Sequence, residues 1–273
     1  MARPRQTTRR RRMTRKRQPP RILNCKPSQD TEEDWTFETA AEADIVAAPR
    51  SLPSSKDLRA DWWQIGDQGT TGSCVGWAAA DSVIRWHLVK AGRLPQDQLL
   101  SPRYVWMASK ETDQFITRPT TFIEKEGTSL KSALDIARKY GVVRDLTLPF
   151  GSGRLYSGSA ATFYAIAAQR KIVAYFNLDR KLTNWRSWLA TNGPILTRLD
   201  VDATWDSVTE TGELDEYQSD TKRGGHAVAL VGYRTDGFIV RNSWGTDWAD
   251  QGFAYASLAY AQEAFTEAYG LAV

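Results

Sequence analysis

Cysteine and histidine are scarce: 273 residues contain two of each. Two cysteines cannot staple a small disulfide fold, and Cys25 and Cys74 lie far apart in segments of different composition. A reducing, cytoplasmic setting is therefore the expectation. No apolar run reaches about eighteen residues, the length a membrane-spanning helix needs. The first 22 residues have no apolar stretch to serve as the core of an export signal. They have no acidic residue either.

That last absence divides the charge. Residues 1–22 carry nine arginines and Lys16, or +10, while the rest of the chain holds 26 basic and 32 acidic side chains, or −6. The sequence pI near 9.0 thus describes a tail rather than a body. The tail reads as a solvated, disordered terminus, suited to contact nucleic acid, an acidic surface or a docking partner through charge alone. It has no aromatic residue that would stack on bases. Residues 23–51 read as an arm, acidic around SQDTEEDW and ending in turn formers. Folded texture is expected from Leu52 or Asp57.

Helical patterning comes first. Trp77, Ala80, Ile84, Leu88 and Ala91 form one stripe after Cys74, and Gly92 stops it. Thr128 or Ser129 can cap a second helix with Leu130, Ala133, Leu134, Ala137 and Tyr140 on one side and Gly141 at its end. After the loop GSGRLYSGS the chain turns strand-like: IVAYF at 172–176 and, beyond a short helix ending at Gly193-Pro194, ILTRLDV. HAVALVGY and GFIVRNSW then flank a hairpin turn over Arg234-Thr235-Asp236-Gly237. Helices first and strands second predict an α+β fold.

The stretch DQGTTGSCVGWAAA places Cys74 at the start of the first helix, after Gly72 and Ser73. The positive end of a helix dipole favours a thiolate there. His87 reads as a surface or half-buried helix residue. His226 opens an otherwise apolar strand behind Gly224 and Gly225, where a histidine needs a polar partner. The hairpin returns Asn242 towards it, and an amide there fixes the imidazole tautomer. Trp244 is close enough to cover that pair from water. Nucleophile, base and orienter are the components of a catalytic triad. Gln68, in a loop between Asp67 and Gly69, can donate its amide to an oxyanion beside the Cys74 N–H. Cys25, in ILNCKPS, reads as an unpaired exposed thiol.

These separated motifs together resemble the papain-like cysteine peptidases. The matching residues are Asp67-Gln68-Gly69, Gly72-Ser73-Cys74, His226-Ala227-Val228 with Val231-Gly232-Tyr233, and Arg241-Asn242-Ser243-Trp244-Gly245-Thr246-Asp247-Trp248 with Gly252-Phe253. The resemblance covers 52–273. It implies a two-lobe fold, with a helical lobe over about 52–155 carrying the Cys74 helix and a β-barrel-like lobe over about 156–273 carrying His226 and Asn242. It implies Cys74 as nucleophile, His226 as general base and acid, Asn242 as orienter and Gln68 as oxyanion donor, supported by Trp244, Gly72 and Ser73. The substrate, a protein or peptide, would lie in the cleft between the lobes, along Gly127, Thr128 and Gly225. No cofactor and no metal ion is implied.

Thr71 stands where many relatives have a cysteine and Val75 where they have an aromatic, which points to a cysteine-poor bacterial-type branch. The long prosegment of secreted relatives is not expected, and residues 23–51 are the candidate pro-like cover for the cleft. Two other readings share the same residues. One is a catalytically silent papain-fold binding protein. The other is a different cysteine acyltransferase, such as a transglutaminase or cell-wall amidase, against which the Gln68 spacing and the Asn-Ser-Trp stretch weigh.

Overall fold

The computed structural model describes residues 20–112, 125–151, 156–208 and 210–273. Most of the basic tail, residues 1–19, and the middle of the GSGRLYSGS loop, 152–155, fall outside the described residues. Among the described residues no helix is long and apolar enough to cross a membrane.

The helical half is built on a continuous helix over 74–90. It begins as an α-helix at Cys74–Gly76, widens to a π-helix over Trp77–Ile84 and returns to α over Arg85–Lys90. Every residue from Cys74 to Gly76 and from Ala78 to Ile84 is buried, so the helix runs through the core rather than along its surface. Gly76 lets it touch the helix Pro102–Thr112, because a Cβ there would fall 2.3 Å from the Pro102 carbonyl oxygen. Gly92 ends it in the left-handed conformation, φ +68°, with Arg93 N–H returning to the Leu88 carbonyl. The helix Leu130–Lys139 is capped by Ser129, whose hydroxyl accepts from Ser132 N–H. It buries Leu130, Ala133, Leu134, Ile136 and Ala137.

The second half is an eight-stranded sheet. Its strands are β1 (Lys56–Asp57), β2 (Ala174–Asn177), β3 (Ile195–Val201), β4 (Glu213–Leu214), β5 (Gly224–Tyr233), β6 (Gly237–Arg241), β7 (Phe253–Ser257) and β8 (Phe265–Ala272). They lie in the order β2-β8-β3-β5-β6-β7-β4, and β1 pairs with the far end of β5. All pairings are antiparallel except β4 with β7.

β5 is the seam. Ala227, Ala229 and Val231 point into a core shared with the Cys74 helix, while Val228 and Leu230 point into a second core with Trp185, Trp188 and Phe238. The period-two alternation of a strand puts one residue set on each side. A strand buried on both faces reads as a nearly continuous apolar run, which is what HAVALVGY is.

The stretch from Cys74 to Lys90 is helical as its pattern predicts, with a π segment in the middle. Three expectations need correction. The strand expected at 172–176 begins at Ala174, and Val173 is exposed. Folded structure starts well before Leu52: the helix Phe37–Glu42, capped by Thr36, buries Phe37 and Ala40 in the second core, and the Phe37 ring meets Trp188 edge-on at 6.0 Å. Burial of such a phenylalanine contributes about 1.5–3 kcal/mol, and only Phe37 and Ala40 of the helix are fully buried, which the surrounding acidic and alanine-rich text conceals. His87 is not half-exposed but buried, packed edge-on against Trp86 and beneath Gly193.

Burial lowers the His87 pKa from 6.5 to about 4, although a bond to the Pro194 backbone opposes the shift. The unfolded chain therefore takes up a proton that the folded chain refuses, so stability is full above pH 6.5 and is lost as pH falls towards about 4. The loss amounts to roughly 3 kcal/mol. Urea midpoints measured across that range are expected to fall with pH in the native chain and to fall less in His87→Gln; equal slopes would refute the assignment.

Candidate active site

The helix that starts at Cys74 aims its N-terminus at the seam, and Cys74 is fully buried there. Ser73 precedes it with its hydroxyl 2.6 Å from that of Thr71. Gly72 is required by crowding, because a Cβ would fall 2.7 Å from the carbonyl oxygens of both Lys125 and Glu126. The Cys74 pKa lies well below the usual thiol value. A hydrogen bond from the Cys25 thiol contributes most; burial opposes it, and the His226 ring and the Ala227 backbone N–H add to it.

His226 comes from β5, opposite Leu199 of β3. Its Nε2 lies 2.8 Å from Asn242 Oδ1. The same oxygen accepts from Ser243 N–H at 2.8 Å, which identifies it as the carbonyl end of the amide, so Nε2 carries the proton. Nδ1 has no hydrogen-bond partner, and the His226 ring is among the groups that lower the Cys74 pKa, so Nδ1 is the nitrogen left to serve the thiol. The hairpin register explains the meeting. β5 and β6 pair as far as Ala229↔Arg241, with a bulge between Leu230 and Gly232. Asn242 then bonds through its N–H to the Gly252 carbonyl, and its side chain reaches His226 diagonally.

Trp244 covers the pair, with ring centres 5.0 Å from His226. Trp205 closes a second side, edge-on to His226 at 5.7 Å and anchored by its indole N–H to the Tyr260 hydroxyl at 2.8 Å. Trp205 went unrecognised in the sequence because no motif surrounds it.

Gln68 is buried beside these groups. Its Oε1 accepts from the Ser243 hydroxyl at 2.8 Å and one of its two amide hydrogens goes to the Thr71 carbonyl at 3.1 Å. Its backbone N–H donates to the Ser243 carbonyl, and Asp67 bridges to Trp244. Buried Arg241 ties the halves together by donating to Ser82 Oγ at 2.7 Å and to Asp81 Oδ2 at 2.9 Å, both on the Cys74 helix. The structure thus brings Gln68, Cys74, His226, Asn242 and Trp244 to one place. Among the described residues, no group of three or more His, Cys, Asp or Glu side chains could hold a metal ion.

Gly127, Thr128 and Gly225 line a cleft that is filled by the chain's own arm. Cys25 N–H donates to the Gly225 carbonyl and Lys26 N–H to the Thr128 carbonyl, each at 3.0 Å. The arm backbone lies on a glycine track. A Cβ at Gly127 would fall 2.0 Å from the Asn24 carbonyl oxygen, one at Gly224 2.2 Å from that of Leu23 and one at Gly225 2.3 Å from that of Cys25. Arg21 clamps the entrance, donating to Asp67 Oδ1 at 2.6 Å and to the Gly69 and Trp244 carbonyls at 3.0 Å. Arg198 Nε donates to the Cys25 carbonyl at 3.1 Å. Cys25 is consequently buried, not exposed as its sequence suggested. Neither Cys25 nor Arg198 carried a local signal, since each acquires its place through partners distant in the chain.

The family model for the papain family cysteine proteases matches residues 52–268. The chain belongs to that family and is a cysteine-type peptidase. A cathepsin B-like protein, CP3 of Giardia intestinalis, is 27% identical over 232 residues, covering 77% of this chain and 73% of that protein. Cysteine proteinase B of Leishmania mexicana is 25% identical over 78% of this chain, which spans 45% of that longer protein. In fold the chain resembles xylellain, a cysteine protease from Xylella fastidiosa, with a TM-score of 0.77 and 20% identity over 94% of this chain and 98% of that one. It also resembles procathepsin B S9 from Trypanosoma congolense, with a TM-score of 0.68 and 17% identity over 92% and 86% of the two chains.

Gly127 does not occupy the left-handed region, so Gly127→Ala strains no torsion and acts only by collision with Asn24. The expected result is a displaced arm, read as faster amide hydrogen exchange at Cys25 and Lys26 with the sheet unaffected. Unchanged protection at both amides would contradict the fit.

Proposed function

We propose that this chain hydrolyses peptide bonds with Cys74 as nucleophile and His226 as general base and acid. The observation that carries the reading is the ring of His226, bonded through Nε2 to Asn242, with Nδ1 left unpaired and the ring lowering the pKa of the Cys74 thiol. A proton shared between that sulfur and that nitrogen leaves a thiolate beside an imidazolium. The thiolate attacks the substrate carbonyl, forming a C–S bond. Negative charge develops on the carbonyl oxygen, against the Cys74 N–H at the helix start and the Gln68 amide. The intermediate collapses, the C–N bond breaks and His226 passes its proton to the leaving amine. His226 then takes a proton from water, whose oxygen attacks the thioester and releases the acid and the thiol.

The arm occupies the place this mechanism assigns to substrate, so the described state is a latent one. Its carbonyls point elsewhere: those of Leu23 and Asn24 lie against Gly224 and Gly127, where a side chain would collide with them, and that of Cys25 accepts from Arg198. A carbonyl held in this way is not presented to the oxyanion donors, which explains how the arm rests against a nucleophile without being cut. The silent-fold reading is not favoured, because none of the four positions is substituted.

Cys74→Ala is expected to abolish cleavage of a peptide substrate while the circular dichroism spectrum and urea midpoint persist; residual turnover would overturn the assignment. Gln68→Ala is expected to lower kcat by about 10²–10³-fold, the usual cost of one oxyanion donor, with a smaller change in KM. If KM alone rises, Gln68 binds substrate rather than developing charge.

A further inference from the structure

Both of the chain's cysteines lie in one place. Cys25 reaches Cys74 through tertiary contacts alone, from an arm held by hydrogen bonds at Gly225, Thr128 and Arg198. Both thiols are buried in the same core, where the Cys25 Sγ lies 3.8 Å from the Lys26 carbonyl and each thiol shifts the other's pKa. Peptide hydrolysis has no use for this second thiol. An arm that only covered the cleft would need bulk or an apolar side chain at this point.

We infer that Cys25 is the resolving thiol of a redox latch: on oxidation its Sγ bonds to Cys74 Sγ, tethering the arm in the cleft until a dithiol releases it. The consequence for activity rests on the reading of Cys74 as nucleophile; the disulfide itself does not.

The chemistry requires a hydroperoxide as oxidant and a dithiol as reductant. The Cys74 thiolate attacks the O–O bond, an S–O bond forms, and hydroxide or alkoxide leaves. The Cys25 thiol attacks the resulting sulfenic acid; the S–S bond forms, the S–O bond breaks, and the sulfenyl hydroxyl departs with the Cys25 proton as water. Two electrons pass from the sulfur pair to the peroxide. A dithiol returns two electrons and two protons and becomes a disulfide itself.

The two thiols differ in the sense this sequence needs. Cys74 is the thiolate-like member that reacts first. Cys25 is held protonated, chiefly by burial and then by the Cys74 sulfur, while the nearby Arg198 guanidinium favours its ionisation as it attacks. The latch also gives Cys74 a reversible exit before irreversible sulfinic acid forms.

The test uses the full chain, treated with hydrogen peroxide without reductant. Intact and non-reduced peptide mass spectrometry is expected to find a chain lighter by two hydrogens and a peptide joining residue 25 to residue 74. Labelling of Cys74 by a thiol-directed epoxide should be lost in parallel and restored by dithiothreitol. In Cys25→Ser the same treatment should give sulfinic acid at Cys74 and labelling that dithiothreitol does not restore. The proposal is overturned if oxidised native chain retains an alkylatable Cys25 while Cys74 accumulates sulfinic acid. A joined peptide in a chain whose reduced form does not label supports the latch and shows that the arm shields the buried Cys74 even when reduced.

Discussion

Everything at the site depends on one imidazole being held from behind. Asn242 Oδ1 accepts from His226 Nε2, and the backbone N–H of Ser243 fixes that oxygen in turn. With the rear nitrogen protonated, only Nδ1 is left to address sulfur. The rest of the structure supplies conditions for that bond: the bulge that sets the β5–β6 register, the tryptophans that keep water from a pair it would otherwise compete for, and Arg241, which carries the end of β6 to the Cys74 helix. Buried hydrogen bonds of this kind are worth more than exposed ones, and their loss is correspondingly expensive.

The seam position of β5 converts a fold constraint into chemistry. A strand buried on both faces serves two cores at once, and its first polar residue sits where both approach each other. The N-terminus of the Cys74 helix reaches the same point from the other half. Neither half holds the reacting groups alone, so the assembled geometry is a property of the packing between them. The arm adds a third element. It crosses the seam on a track of glycines, and a backbone lying where side chains would otherwise stand is the most intimate contact a chain can make with itself.

Much of the site was legible beforehand because its signals are local. Gly72-Ser73-Cys74 announces a helix start with close backbone approach, and two glycines before His226 announce another. The hairpin turn at Arg234–Gly237 returns Asn242 by counting alone. The helix cap at Ser129 and the strand Ile195–Val201 stood where periodicity put them. Cys25, His87 and the helix Phe37–Glu42 were misread for a common reason. Each has polar or nondescript neighbours, and burial was conferred by surfaces formed elsewhere in the chain.

The sequence by itself determined the α+β order of elements, the residue types available for acyl transfer and the family to which the chain belongs. The first two follow from periodicity, turn chemistry and spacing, which act over a few residues; the family follows from the resemblance of several separated motifs. Tertiary structure alone decided that Trp205 joins Trp244 over the histidine, that the arm lies in the cleft rather than beside it, and that the two cysteines share one core. Such contacts link residues far apart along the chain, and no short-range preference encodes them; they arise only when two cores close on a shared strand.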